Sequence, residues 1–282
     1  FVVDLHALTT IHDPALLRQY RHDIVLDYLA CGFDPEKSLL FYQSDVPAHT
    51  ELMWILSTVT PMGLLERAVS YKEKLEKGIP ATGGLFNYPI LMAADILLYR
   101  ADTVPVGKDQ KQHIEMTRDI ALKFNNTYGD VLVVPNPLIR DDVAVVPGID
   151  GQKMSKSYGN TIPLFGSEAD VKKAIMRIVT DSKDAKDAKD AKDCTIFQIH
   201  TLFLTSIEAE ELAGEYRAGL SYGEAKKRLF QSYKEAIGPL AQKREEYMKK
   251  RGYVEEVMEE GRKKAVLLAE KTMERVRQAV GL

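Results

Sequence analysis

The chain has 282 residues, of which 45% are hydrophobic and 28% are charged, and its formal net charge is −3. A chain of this size and composition can bury a large core and fits one large domain with a smaller one. No apolar run approaches the roughly 20 residues that a membrane span needs, and the first residues lack the basic region and cleavage site of a secretion signal. We therefore expect a cytoplasmic protein with no membrane partner.

The two cysteines, Cys31 and Cys194, limit the chemistry of the chain. They are too few for a disulfide framework and too isolated for a zinc or iron–sulfur site, which needs clustered ligands. We expect plain thiols and no protein-bound metal or iron–sulfur cluster.

Short apolar runs alternate with amphipathic stretches over the first half of the chain, which predicts βα units, a mostly parallel sheet and an α/β fold class. Predicted strands cover residues 1–5, 38–42, 103–106 and 131–135. Predicted helices cover residues 14–31, two segments that begin at Pro47 and Pro61 with the second ending near Gly78, a buried segment that begins at Leu91, and residues 109–124. A glycine-containing loop at 80–84 precedes Tyr88.

Asp95 interrupts an otherwise apolar run at residues 91–99. A carboxylate buried there needs a partner that offsets its desolvation. The residues around it on the predicted helix and the next strand are mostly apolar: Tyr88, Met92, Ile96, Val104, Val106 and Gln110. Together they describe a flat apolar slot with one acceptor. Such a slot suits an indole ring, whose N–H only donates.

The segment 153–157, with the sequence KMSKS, lies on a loop between Gly151 and Gly159. Lysine is a compact charge on a flexible stem and can follow phosphates whose charge redistributes during transfer, while serine hydroxyls and loop N–H groups supply neutral donors. The segment therefore predicts contact with a polyphosphate, which indicates ATP chemistry.

Beyond about residue 160 the pattern predicts helices only. Ser167 with Asp170 and Ser221 with Glu224 are predicted capping boxes, and residues 253–280 are predicted to form one long helix. Residues 184–193 repeat Asp-Ala-Lys without an apolar face, so we expect an exposed linker or frayed helix there. Residues 151–282 carry 25 Lys and Arg against 21 Asp and Glu, whereas residues 1–150 carry 13 against 20, so the second part is the better polyanion surface.

Four segments, at residues 4–9, 88–99, 104–119 and 151–160, resemble the catalytic-domain motifs of bacterial tryptophanyl-tRNA synthetases, which are class I aminoacyl-tRNA synthetases. The resemblance implies a Rossmann-like parallel-sheet catalytic domain at 1–160 and an all-α, anticodon-binding region at 161–282, whose last helix at 253–280 packs back on the catalytic domain. It also implies a homodimer that binds L-tryptophan, ATP with Mg²⁺ and tRNA(Trp). The implied activity is ATP-dependent formation of tryptophanyl-adenylate and transfer of the tryptophanyl group to tRNA.

The resemblance also implies a role for particular residues of this sequence. For tryptophan, Asp95 would accept the indole N–H, and the other contacts would be Tyr88, Met92, Ile96, Val104, Val106, Gln110, His6 and Val3. For ATP, the contacts would be Gly107, Lys108, Asp109, Ala144, Lys153, Met154, Ser155, Lys156 and Ser157. The catalytic groups would be Lys153, Ser155, Lys156 and Lys74.

The chain departs from the family pattern in one respect. The His-x-Gly-His type motif of class I synthetases, which follows the first strand, is absent from the sequence. The family would have it upstream of Phe1, so we expect that the first βα unit, normally about 30 residues or more, is missing from this chain. A chain truly truncated there should not activate an amino acid.

Three alternatives remain open at this point. A tyrosyl-tRNA synthetase shares the loop and the aspartate, but it typically has glutamine where Met92 stands, and a phenol needs a second polar partner. A catalytically inactive synthetase paralogue could keep the pocket and act as a binding or regulatory partner. A small-molecule adenylyltransferase is disfavoured because it would have less use for the helical region.

Overall fold

The structure is a computed structural model, and it describes residues 1–68, 71, 82–139, 145–181 and 187–282. Contacts divide the chain into two compact units: the first is Phe1–Asp142 with Tyr247–Leu282, and the second is Val143–Glu246. The KMSKS loop lies in the second unit, whereas the domain bounds predicted above extend the first domain to residue 160. The last helix, predicted to pack back on the first domain, lies in the first unit.

Helices make up most of the described part of the first unit. They are Asp4–Ala7, Pro14–Ala30, Ala48–Ser57, Met62–Glu66, Gly83–Leu97, Lys111–Tyr128 and Arg251–Val280, with 3-10 turns at Gln43–Asp45 and Lys108–Gln110. Two parallel strands, Thr103–Val106 and Asn136–Ile139, pair in the register Thr103 to Asn136 through Val106 to Ile139. The strand predicted at 103–106 and the helices predicted to begin at Pro14, Pro47, Pro61 and Asp109 are confirmed within a few residues. The helix end predicted near Gly78 lies outside the described residues.

The strand predicted at residues 1–5 is wrong. Val2 makes only an isolated parallel bridge with Tyr42, and the chain then enters the helix Asp4–Ala7. The strand predicted at 38–42 is also reduced to this bridge. The predicted strand ends early because Asp4 is buried and accepts hydrogen bonds from N and Oγ of Ser44, at 3.0 and 2.6 Å. These bonds turn the chain after three apolar residues.

The helix Gly83–Leu97 begins earlier than predicted. The expected loop at 80–84 gives way at Gly83 to a helix whose first turn is capped by Thr82, whose Oγ1 accepts a hydrogen bond from N of Leu85 at 3.2 Å. The predicted start at residue 91 is therefore the second half of this helix, which contains Pro89. Its small buried residues Ala93 and Ala94 allow close packing in the core.

The strand predicted at 131–135 is also wrong, because the strand is Asn136–Ile139. The side chain of Asn125 forms hydrogen bonds with backbone groups of the apolar run at 131–135. Its Oδ1 accepts hydrogen bonds from N of Val131 and N of Leu132, at 3.2 and 2.9 Å, and its Nδ2 donates to O of Leu132 at 2.8 Å. These groups are thus unavailable for a sheet ladder.

The main core of the first unit joins helices that are distant in the sequence. It combines residues of the helices Ala48–Ser57, Gly83–Leu97 and Lys111–Tyr128 with Ala265, Ala269, Met273 and Val276 of the last helix. The long helix predicted at 253–280 is confirmed, with bounds Arg251–Val280. Arg277 on this helix binds the carboxylate of Glu51 through two hydrogen bonds of 2.6 Å each.

The second unit is helical and has its own core. Its helices are Glu168–Met176, Thr195–His200, Ser206–Arg217 and Tyr222–Lys249, with 3-10 turns at Lys156–Tyr158 and Thr201–Phe203. The serine half of both predicted capping boxes is confirmed: Oγ of Ser167 accepts from N of Asp170 at 3.1 Å, and Oγ of Ser221 accepts from N of Glu224 at 3.2 Å. The reciprocal bonds from the backbone N–H groups of the two serines stay predictions. A capping box at Thr205 and Glu208 was not predicted.

The Asp-Ala-Lys segment has buried residues, contrary to the prediction of an exposed linker. Lys189 is 2% exposed and Ala191 is 4% exposed. The backbone N of Lys189 donates to O of Tyr216 at 3.0 Å, and its ammonium group lies 5.1 Å from the centre of the Tyr222 ring. Aromatic packing thus buries the aliphatic stem of a residue type that composition assigns to the surface. Residues 182–186 lie outside the described part.

In the part of the chain that the structure describes, none of the helices has the length and the apolar character needed to cross a membrane.

Candidate active site

The helix Gly83–Leu97 presents Asp95 among apolar residues. Tyr88, Met92 and Asp95 follow one another at spacings of four and three residues, which puts them on one face of the helix. Asp95 is only 6% exposed, whereas Tyr88 and Met92 are half-buried. The predicted burial of Asp95 is confirmed.

Three side chains donate hydrogen bonds to the Asp95 carboxylate. Nε2 of Gln43 and Nδ1 of His49 lie 2.7 and 2.6 Å from Oδ1, and Nε2 of His6 lies 2.9 Å from Oδ2. His49 is fully buried, and its Nε2 lies 2.9 Å from the hydroxyl of Tyr99. Gln43 is fixed in turn, because its Oε1 accepts a hydrogen bond from N of Leu5 at 3.2 Å.

These contacts set the protonation of the cluster. Burial by itself raises the pKa of the Asp95 carboxyl, but the hydrogen bonds from His49 and His6 outweigh burial and hold that pKa below its usual value. Burial, together with the negative charge of Asp95, raises the pKa of the Tyr99 phenol. At neutral pH the cluster therefore holds an ionised carboxylate beside a protonated phenol, and the carboxylate can only accept.

Tyr88 links this helix to the helix Lys111–Tyr128. Its hydroxyl lies 2.6 Å from Nε2 of His113, and its ring stands edge-on to the ring of His6 at 6.3 Å between centroids. His113 is 8% exposed, and burial lowers its pKa, so the imidazole is neutral at pH 7. Its Nδ1 has no hydrogen-bond partner among the described residues.

The carboxyl end of the strand Thr103–Val106 leads into a tight turn. Gly107 O accepts a hydrogen bond from N of Gln110 at 2.9 Å, and Nε2 of Gln110 donates to Oδ2 of Asp109 at 3.1 Å. A Cβ at Gly107 would lie 2.6 Å from Oδ1 of Asp109, so a larger residue there would require the exposed Asp109 side chain to move. In open α/β sheets, ligands bind outside the carboxyl ends of the strands. Gly107, Lys108 and Asp109 are exposed there.

The KMSKS loop of the second unit is organised by one buried amide. Asn160 is 2% exposed; its Oδ1 accepts from N of Ser155 at 2.7 Å, and its Nδ2 donates to Oδ1 of Asp150 at 2.8 Å and to O of Lys153 at 3.1 Å. This hydrogen bond from Asn160 lowers the pKa of Asp150. A Cβ at Gly148 would lie 2.3 Å from Nδ2 of Asn160, so the amide fits only against a glycine.

Glycine also closes the two ends of this loop. Gly151 and Gly159 have φ angles of +81° and +63°, which side chains rarely adopt. Between them, Lys153 pairs with Pro147 in an antiparallel bridge, and both Lys153 and Lys156 are exposed. The loop thus has a fixed backbone and outward lysines, an arrangement that can hold phosphate oxygens.

The structure brings together some of the predicted site residues directly. His6, Tyr88 and Asp95 are in contact, although His6 lies on the helix Asp4–Ala7 and not at a strand end as predicted. Met92, Ile96, Val104, Val106 and Gln110 are half-buried, and Val3 is 47% exposed. Lys74 and Ala144 lie outside the described residues, and so does the side chain of Ser157. Ligand contacts of all these residues stay predictions.

The sequence analysis missed Gln43, His49, His113 and Asn160. Gln43 and His49 lie 52 and 46 residues before Asp95, so helical periodicity could not connect them. The sequence did contain one signal for such residues, because a buried Asp95 required hydrogen-bond partners.

Among the described residues, no cluster of three or more His, Cys, Asp and Glu side chains could hold a metal ion.

The fold is that of a class I tRNA synthetase. Residues 1–238 match the model of the family described as tRNA synthetases class I (W and Y). The chain belongs to this family.

Within this family, the relatives that the chain resembles are tryptophan–tRNA ligases. The chain is 51% identical to the tryptophan–tRNA ligase of Fusobacterium nucleatum subsp. nucleatum, covering 100% of this chain and 87% of that protein. It is 50% identical to the tryptophan–tRNA ligase of Rhodopirellula baltica, covering 100% and 88%. Its structure matches that of the tryptophanyl-tRNA synthetase of Campylobacter jejuni complexed with ADP and tryptophan, with a TM-score of 0.94, 45% identity and coverage of 100% and 89%.

Proposed function

We propose that the protein is a tryptophan–tRNA ligase, an aminoacyl-tRNA synthetase that activates L-tryptophan with ATP and transfers it to tRNA(Trp). The observation that carries the proposal is the ionised, buried carboxylate of Asp95 within an apolar helix face. Relatives that are about half identical over the whole chain carry this name, and a solved relative binds ADP and tryptophan.

Tryptophan binding follows from the chemistry of this helix face. Asp95 accepts the indole N–H, and half-buried Tyr88, Met92 and Ile96 wall the ring with His6 beside it. Val104 and Val106 bound the ring from the strand, Gln110 follows the strand, and Val3 completes the pocket. Met92 offers a phenol only a weak thioether acceptor, so tyrosine is rejected.

Nucleotide binding is assigned to the turn after the strand and to the KMSKS loop. Gly107, Lys108 and Asp109 lie along adenosine and ribose, and Ala144 offers its backbone to adenine. Lys153, Met154, Ser155, Lys156 and Ser157 bind the phosphates, and Lys74 adds another cation. Mg²⁺ accompanies ATP and is held by phosphates and water more than by protein carboxylates.

The reaction needs electrostatics and positioning, because the attacking carboxylate of tryptophan is already ionised at pH 7. Its oxygen attacks the α-phosphorus of ATP and pyrophosphate leaves, which gives tryptophanyl-adenylate. A terminal ribose hydroxyl of tRNA then attacks the acyl carbon, and AMP leaves. Lys153 and Lys156 stabilise the charge on the phosphates most strongly in the five-coordinate transition state.

The remaining parts of the proposal concern assembly. The helical region after residue 160 binds the tRNA anticodon, and it carries 23 Lys and Arg against 21 Asp and Glu, whereas residues 1–150 carry 13 against 20. The protein is a cytoplasmic homodimer; Trp54, 73% exposed, is a type of residue that is enriched at protein interfaces.

Tryptophan-dependent exchange of pyrophosphate into ATP tests the activity. The protein should exchange pyrophosphate with tryptophan and at least about 10⁴-fold less efficiently with tyrosine, because tyrosine leaves polar groups unpaired. Tryptophan binding without exchange would favour the inactive paralogue over the ligase. Equal exchange with tyrosine would contradict the assignment of the pocket.

A further inference from the structure

The two carboxylate oxygens of Asp95 differ in the number of hydrogen bonds that they accept from described residues: Oδ1 accepts two and Oδ2 accepts one. We propose that His49 and Gln43 are positioning residues that saturate Oδ1 of Asp95. The ring N–H of the ligand then binds Oδ2, and the N–H groups of His49 and Gln43 that point toward Asp95 are not available to a ring that needs a donor. This inference rests on the proposed function, because it takes Asp95 as the acceptor for tryptophan.

The position of one hydrogen on His49 follows from its partner. Its Nδ1 lies 2.6 Å from Oδ1 of Asp95, and an ionised carboxylate can only accept, so Nδ1 carries a hydrogen. Its Nε2 lies 2.9 Å from the Tyr99 hydroxyl. This second hydrogen bond holds the ring of His49 in the orientation in which Nδ1 faces Asp95.

A count of lone pairs assigns the ligand's position. Oδ1 receives two donors, from Gln43 and His49, and an ionised carboxylate oxygen has about two lone-pair sites. Oδ2 receives one described donor, from His6, whose side chain is 18% exposed. The remaining acceptor site is therefore on Oδ2, next to the more accessible of the two histidines.

The same count explains selection against a phenol. A phenol oxygen both donates and accepts, and its lone pairs need a donor. The N–H groups of Gln43 and His49 that point toward Asp95 are already used, and reversal of the Gln43 amide would break its bond to N of Leu5. An indole N–H has no lone pair that needs a donor. The free-energy cost of an unsatisfied acceptor on binding therefore falls on the phenol and not on the indole.

The test compares tryptophan with its benzothiophene analogue, which has sulfur in place of the ring N–H. Calorimetry should show that His49→Leu weakens tryptophan binding about 10-fold and the analogue less than about twofold, since the loss acts through one charge-assisted hydrogen bond. His49→Asn, whose amide can replace the Nδ1 donor, should restore most of the preference. Tyr99→Phe should weaken tryptophan binding by less than His49→Leu does, and it should weaken binding of the analogue even less. Tyr128→Phe on the helix Lys111–Tyr128 makes the same substitution and is the matched control.

A pH profile separates positioning from packing. The charged and titratable groups facing Asp95 are His6, His49, the Tyr99 phenol and the Phe1 amino group, and all but His49 remain in His49→Leu. Loss of the His49 hydrogen bond raises the pKa of Asp95, so tryptophan affinity in the variant should begin to fall at a higher pH than in the wild type. The benzothiophene analogue should show no such shift.

The outcomes distinguish the two proposals. A wild-type protein that binds tryptophan no better than the analogue contradicts the assignment of Asp95 and the inference with it. A normal wild type combined with an unchanged affinity ratio and pH profile in His49→Leu contradicts the inference alone. If circular dichroism shows that His49→Leu is unfolded, Tyr99→Phe decides by the same ratio and profile.

Discussion

Lys153 extends from a loop whose backbone is fixed by the buried amide of Asn160. A fixed backbone with a flexible, exposed cation suits a group that must follow phosphate charge through a reaction. We expect the affinity for tryptophan to be independent of this cation, because the proposed tryptophan contacts all belong to the first unit.

Replacement of Lys153 by alanine should therefore affect the rate and spare binding. We expect Lys153→Ala to lower the rate of tryptophanyl-adenylate formation by about 10²-fold, as loss of one electrostatic donor typically does. The dissociation constant for tryptophan should stay within about twofold. Single-turnover kinetics and calorimetry measure the two quantities. Lys243→Ala, an exposed lysine on the helix Tyr222–Lys249, is the control, and an unchanged rate in Lys153→Ala would remove the loop from the mechanism.

For single residues, the sequence predicted the burial of Asp95 but not its hydrogen-bond partners. The burial of Asp95 could be predicted because apolar residues surround it on both sides. Gln43 and His49 could not, because a polar residue far along the chain gives no sign of where it folds. Asn160 belonged to the recognised motif, yet only the structure reveals that its amide holds Ser155, Lys153 and Asp150 together.

The helix Arg251–Val280 depends on one close approach to the rest of the first unit. A Cβ at Gly261 would lie 2.0 Å from O of Leu40, whereas Gly252 on the same helix has open space around it. Leu40 belongs to a small core with Val254, Val257 and Met258 of that helix. The backbone of Leu40 can approach the helix only where a side chain is absent.

Alanine should accordingly have opposite effects at these two glycines. Gly261→Ala should lower the free energy of unfolding by about 1–3 kcal/mol through overpacking, although alanine normally favours a helix. Gly252→Ala should leave that free energy unchanged or raise it by up to about 1 kcal/mol. Urea denaturation of both variants measures the difference. Equal effects at the two positions would argue against the close contact with Leu40.

Elements with strong periodicity or caps were predicted well, and short apolar runs were not. Pro14, Pro47 and the serine caps gave correct helix starts because each satisfies a specific backbone requirement. Residues 131–135 have the composition of a strand, but Asn125 captures their backbone, and residues 1–5 turn at Asp4. A side chain that competes for backbone hydrogen bonds has no periodic pattern.

Across the first unit, Arg277 connects the last helix to the helix Ala48–Ser57. Its guanidinium binds Glu51 with two bonds of 2.6 Å and Glu270 with one of 2.9 Å. The hydrogen bonds from Arg277 lower the pKa of Glu51. Because the folded pKa is lowered, this contribution to stability is present above the unfolded pKa of glutamate and is lost as the pH falls through the lower, folded value.

Arg277→Met should reveal this pH dependence. We expect it to lower the free energy of unfolding by about 1 kcal/mol at pH 7, the upper end for a partly exposed pair, and by less at pH 3. Arg217→Met is the control, because Arg217 and Glu210 are 61% and 78% exposed and their pair should contribute less than about 0.5 kcal/mol. An equal loss at both pH values would show that Arg277 acts through packing alone.

At the scale of the whole molecule, the class I fold followed from motifs and from alternation of apolar runs with amphipathic helices. Sequence patterns alone could not predict the extent of the two units, and only the family resemblance led us to expect that the last helix packs on the first core. Local patterns reveal that this helix has an apolar face, but not which core receives it.

The most direct test of the central claim is a crystal structure of the protein with bound tryptophan. The account predicts the indole nitrogen within hydrogen-bond distance of the Asp95 carboxylate, at about 2.7–3.2 Å, with the ring against Tyr88 and Met92. An indole nitrogen that faces another group, or a tryptophan bound away from the helix Gly83–Leu97, would contradict it.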